Sequence, residues 1–153
     1  ISSKIYKKIQ KLKTKIFFGG TFSGNAFSAL AGNNAITYIK KNTKLVNNLI
    51  KKCEFFENKV NNFIIKNNID AKVYRFDAIM RIVFSKSKVN NRIQRDFFER
   101  KKSNNKSNFV KFLRKKNILY PSNGVILLSL ANNMGDLNYI IDHVCIGLKK
   151  NFS

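Results

Sequence analysis

Gly19, Gly20, Thr21, Phe22, Ser23, Gly24 and Asn25 follow the apolar run Ile16-Phe17-Phe18 and precede a helical pattern that opens at Ala26. Glycine lets the backbone take positive φ and approach a ligand closely. Two hydroxyls, an amide and several backbone N–H groups ahead of a helix N-terminus suit a phosphate, because the donors converge and no acid competes with it. A plain helix cap flanked by glycines has the same composition, with Ser23 or Asn25 as the capping residue. Farther on, Arg81 alternates with Ile79 and Val83 on one face of an expected strand. Its planar fork suits a substrate carboxylate; the structural alternative is an ion pair with Asp77 or Asp96. Cys53, Cys145 and the lone His143 make neither a zinc site nor a disulfide framework. The two cysteines are expected as buried, reduced thiols.

The elements that must position these residues follow from apolar spacing. Ile5, Ile9 and Leu12 mark a short amphipathic helix over 3–12. Phe27, Leu30, Ala31, Ala35, Tyr38 and Ile39 mark a helix from Ala26, and its small residues Ala29, Ala31 and Gly32 suit close packing on neighbours. Leu45, Leu49, Cys53, Phe56, Val60 and Phe63 continue into another helix, with a kink near Asn42-Thr43. After Asn67-Asn68 the pattern changes to strands over 73–76 and 78–84. A charged helix spans 89–102, the polar run 103–108 is a turn and a helix start, and Phe109, Phe112 and Leu113 face inward on the next helix. Short strands are expected at 118–120, stopped by Pro121, and at 125–130. Asp136 is positioned to cap a last helix that carries Leu137, Ile140, Ile141, Val144 and Leu148 on one face. The fold class is mixed α/β (α+β), with strands and helices alternating over one sheet.

The seven-residue word resembles the glycine-threonine-(leucine or phenylalanine)-serine-glycine-asparagine segment of class III pyridoxal-phosphate aminotransferases, and most of all their glutamate-1-semialdehyde 2,1-aminomutase-like members. The family has proline where this chain has Ala26; proline would preset φ in the first turn. Later words follow in the family's order. Residues 77–85 are similar to the first strand of its small C-terminal domain. Residues 113–122, ending Tyr120-Pro121-Ser122, are similar to its helix-strand step at the active-site mouth. Residues 128–133 and the helix from Asp136 to Leu148 are similar to its closing segment.

The resemblance implies the C-terminal part of a fold-type I transferase: residues 1–68 ending the large coenzyme-binding domain, and 69–153 forming the small domain. It implies pyridoxal 5′-phosphate as cofactor, with Gly20 and Thr21 binding its phosphate across the interface of a homodimer. The substrate would be a small amino or carbonyl compound, and the setting cytoplasmic. The family's coenzyme-bonding lysine and the carboxylate that holds the pyridine nitrogen both precede the glycine word. None of Lys4, Lys7, Lys8, Lys11, Lys13 and Lys15 has the family lysine's glycine-rich context, so no catalytic residue is expected within the chain.

The formal charge of +22 points another way, to a non-catalytic module for nucleic acid or an anionic surface. The excess is mostly lysine, scattered among abundant asparagine, isoleucine and phenylalanine, which share AT-rich codons. No RNA-recognition, zinc-finger or helix-turn-helix signature accompanies it. Specific nucleic-acid binding and membrane insertion are therefore not expected. A degenerate transferase remnant acting as a scaffold is the third reading. With 44% hydrophobic residues in 153, the chain can build a core.

Overall fold

The computed structural model describes residues 3–11, 20 and 24–153. The chain divides into two compact units, Ile1–Asn42 and Thr43–Ser153. The first holds α1 (Ser3–Gln10) and α2 (Ala26–Lys41). Both were legible from spacing, yet neither has a buried side chain. Ala29, Ala31 and Gly32, expected to pack closely on neighbours, are exposed among the described residues.

The second unit contains α3 (Thr43–Lys66), β1 (Lys72–Phe76), β2 (Ile79–Val83), α4 (Arg92–Glu99), α5 (Ser103–Lys115), β3 (Val125–Leu127) and α6 (Met134–Phe152). The strands form one antiparallel sheet in the order β1-β2-β3. Strand residues alternate between faces, so Val73, Met80 and Ile82 point inward and are fully buried. Helix α3 lies on β1, and α6 packs against α3 and α5. Cys53, Phe56, Val60 and Ile64 of α3 meet Leu137, Val144 and Leu148 of α6 in one core. An aromatic cluster closes it. Phe84 stacks on Phe152 at 4.3 Å, and Phe109 meets Phe84, Tyr120 and Phe152 edge-on. Such ring pairs add about 0.5–1.5 kcal/mol each beyond the area they bury.

Asparagine ends two of the helices. Asn68 and Asn117 take φ of 53° and 56°. The next amides, Ile69 N and Ile118 N, then reach back to Ile64 O and Leu113 O at 3.0 Å. This is the Schellman arrangement, in which a left-handed residue lets the chain satisfy the helix's last carbonyls. It explains why 118–120 is not a strand: Ile118 N is committed to α5, and Tyr120 enters the core without a ladder partner. Strand β3 stops at Leu127 rather than 130, because Ser129 N donates to Asn132 Oδ1 and turns the chain. Helix α5 starts at Ser103, the first residue of the run expected as a turn and helix start, so the whole run is helical; α4 starts at Arg92, and Arg100–Lys102 is a 3-10 turn. The cap of α6 is Asn133, not Asp136. Asp136 stands at the third helical position and completes a capping box, each side chain bonding the other's backbone N–H.

Both cysteines are free and buried, as their sequence context indicated. Among the described residues no cluster of His, Cys, Asp and Glu is able to hold a metal. No helix of the described residues is long and apolar enough to cross a membrane.

Candidate functional site

Thr21 lies outside the described residues, as do Gly19, Phe22 and Ser23. Gly20 is exposed. On the downstream side of the bend, Gly24 takes φ of 75°, and among the described residues nothing lies within 4 Å of where a Cβ would sit. Asn25 caps α2: its Oδ1 accepts from Ser28 N at 2.9 Å, while its carbonyl accepts from Ala29 N. The first turn of α2 contains no acid. The partial positive charge at this helix end is therefore not neutralised from within the turn. Space over Gly24 among the described residues, and a helix end with no acid in its first turn, are features that a phosphate would need. Gly20, Gly24 and Asn25, the described residues of the bend, put no negative charge where the phosphate end of the coenzyme that the sequence implies would sit.

Arg81 belongs to the second unit. It occupies the outward face of β2, opposite Tyr74 of β1 and Val125 of β3. The side chain is half-buried, and its buried Nε has no hydrogen-bond partner. Neither acid considered in the sequence reading holds it. Asp96 is engaged by Arg92 and Arg95, and no ion pair among the described residues joins Asp77 to Arg81. Burial, then repulsion from Arg95, depresses the Arg81 pKa; Glu99, Tyr120 and Asp96 oppose the shift. An arginine that burial disfavours and that no acid pairs retains its donors for an anion.

Beside it, Tyr120 is buried and its hydroxyl donates to Gly124 O at 3.4 Å. Burial, reinforced by Glu99, pushes the phenol well above its ordinary pKa. Gly124 has φ of 80°, and a Cβ there would lie 3.4 Å from the Tyr120 hydroxyl and 3.6 Å from Arg81 Nη2. Glu99, buried, accepts from Phe84 N at 3.2 Å and pairs with Lys106 at 2.7 Å. His143 Nδ1 sits 2.9 Å from Tyr139 O, and the two rings lie face to face at a tilt. Its environment is helical packing, as expected.

Two cavities of about 710 Å³ open in the second unit. One is chiefly apolar, between the 118–121 segment, β3 and α6. The other runs along α5 to Tyr120 and Ser122 and is ringed by charge. The second was missed in the sequence, although Ser103, Ser107, Lys111 and Arg114 recur at helical spacing and so share one face.

No family model matches the chain, and no curated protein matches it in sequence. In three dimensions it superposes on an omega-transaminase from Sphaerobacter thermophilus with a TM-score of 0.67, over 89% of this chain, at 15% identity. The fold is transaminase-like. The chain spans about 30% of that transaminase's length. At this identity the likeness establishes fold, and the mixed α/β class read from the sequence agrees with it.

Proposed function

We propose that this chain is the C-terminal part of a pyridoxal-phosphate-dependent class III aminotransferase or aminomutase. The observation that carries this reading is the transaminase-like fold across 89% of the chain, coupled with motif words in the family's order. In the intact enzyme, residues 1–68 complete the large domain and 69–153 form the small one. The upstream portion supplies the coenzyme-bonding lysine.

In this reading Thr21 donates its hydroxyl, and Gly20 its main chain, to the coenzyme phosphate in the partner protomer of a cytoplasmic homodimer. Gly24 and Asn25 hold the bend open and fix the start of α2 behind it. When bound, the coenzyme supplies an electron sink for charge left on the carbon that carries the amino group. Arg81 orients the carboxylate of an amino or carbonyl substrate, its fork in no ion pair among the described residues. Helix α2 also supports the reading: an apolar helix face is ordinarily covered, and Phe27, Leu30 and Tyr38 of α2 are exposed among the described residues.

The test is the visible spectrum of protein expressed from the full reading frame. An absorbance band that appears with the coenzyme, and is lost when the upstream lysine is replaced, is the expected outcome. A reading frame that encodes no such lysine context, or protein that stays colourless with saturating coenzyme, overturns the assignment.

A further inference from the structure

The charged cavity on α5 lies wholly within the second unit, and it carries an inference independent of the transferase reading. Its walls are α5, the 3-10 turn before it and the Tyr120–Ser122 turn. Arg100, Lys111 and Arg114 project into it, exposed, and none of the ion pairs among the described residues includes them. Its two acids are both already engaged: Glu99 by Lys106 and the Phe84 amide, Asp96 by Arg92 and Arg95. Arg81, with its orphaned Nε, stands behind the same wall and interacts electrostatically with Glu99, Tyr120 and Asp96, all of which line the space. The local balance is therefore strongly positive, with hydroxyl donors from Ser103, Ser107 and Ser122 interleaved.

The shape narrows the ligand further. At about 710 Å³ the cavity has the size of a small-molecule site. From Ser103 to Arg114 the lining face of α5 runs on the order of 16 Å, at 1.5 Å per residue. That length spans a phosphate or diphosphate together with an organic group. Phe84 and Tyr120 offer an apolar floor for the organic part. Guanidinium groups bind phosphate oxygens in pairs, and lysine adds a point charge. We propose that this groove binds a small organic phosphate or diphosphate, held by Arg100, Lys111 and Arg114.

The experiment is calorimetric titration of the 153-residue chain with inorganic pyrophosphate, at physiological salt. The Lys111→Ala, Arg114→Ala double variant is compared with Lys44→Ala, Lys51→Ala, which removes the same charge from exposed positions on α3. Helical content by circular dichroism confirms that both remain folded, and a Lys111→Gln, Arg114→Gln pair repeats the test with side-chain bulk retained. Saturable binding that the groove variants weaken by roughly tenfold or more, while the α3 pair changes it less than about twofold, is the expected result. Equal losses in both pairs mean diffuse attraction to a basic surface and overturn the proposal. So does an absence of saturable binding, or a polyuridine oligomer that binds far more tightly than pyrophosphate and is indifferent to the groove variants.

Discussion

Helices α2 and α6 are both rich in apolar residues, and they meet opposite fates. In α6, Leu137, Ile141, Val144, Cys145, Leu148 and Phe152 fall within about a third of the helix circumference and are buried. In α2, Phe27, Leu30 and Tyr38 share a face and are exposed, Phe27 by 84%, while Ile36 points the opposite way. The difference teaches that spacing encodes a face to be covered but not whether the cover lies within the same chain. Helix α6 finds its cover in α3 and α5. The apolar residues of α2 stay exposed among the described residues, which agrees with the proposal that it belongs to a larger enzyme.

The comparison breaks or sharpens under substitution. Phe109→Ala removes a ring that touches three other aromatics, and should lower the stability of the second unit by about 3–5 kcal/mol in urea unfolding. Phe27→Ala should change it by less than about 0.5 kcal/mol; a comparable loss at both positions would erase the distinction. Glycines make the same point with opposite signs. A Cβ at Gly147 of α6 would sit 2.9 Å from carbons of Phe109 and Phe112. Gly147→Ala should therefore cost about 1–3 kcal/mol. Gly32 of α2 has nothing within 4 Å, so Gly32→Ala should raise helicity and stabilise α2 by about 1 kcal/mol.

Caps come next in size. Asn133→Ala should cost about 1 kcal/mol by opening the capping box of α6. Asn25→Ala should fray α2 in amide hydrogen exchange and leave the unfolding midpoint of the second unit unmoved.

The smallest effects are on pH dependence. Burial pushes the Asp70 carboxyl up, but hydrogen bonds from Lys102 and the Lys86 amide outweigh it and leave its pKa lowered. A depressed folded pKa stabilises above the unfolded value, so this contribution should fade as pH drops below about 4. Burial, then Asp142, pushes the Cys145 thiol up to about 11. A raised thiol pKa stabilises below the unfolded value, so that contribution should fade as pH climbs from about 9 towards 11. Cys145→Ala should flatten the alkaline limb of the stability profile, and Asp70→Asn the acid limb.

Most of the fold was legible because apolar periodicity is a local signal. The helices and the β1–β2 hairpin sit close to where spacing put them. What misled were places where a distant or neighbouring group claimed the backbone. Ile118 to Tyr120 has strand-forming composition, yet the left-handed Asn117 hands the Ile118 amide to α5. Asp136 is a good capping residue, but Asn133, three residues earlier, reaches its amide first and makes it the reciprocal partner. For the candidate site, the bend is a motif expected to suit a phosphate, and its residue Thr21 falls outside the described residues. The isolation of Arg81 was not readable, since Asp77 and Asp96 were both plausible partners by composition; the structure commits Asp96 to Arg92 and Arg95, and no ion pair among the described residues joins Asp77 to Arg81. The α5 groove needed the return of Tyr120 and Ser122 beside the helix, a contact that no local pattern encodes.

The most direct test of the functional account is a coenzyme titration of the protein from the full reading frame, comparing Thr21→Ala with the unaltered chain. If the bend holds the coenzyme phosphate, the substitution should weaken binding by roughly tenfold, the effect of losing one charge-assisted hydrogen bond. Affinity unchanged by Thr21→Ala would contradict it.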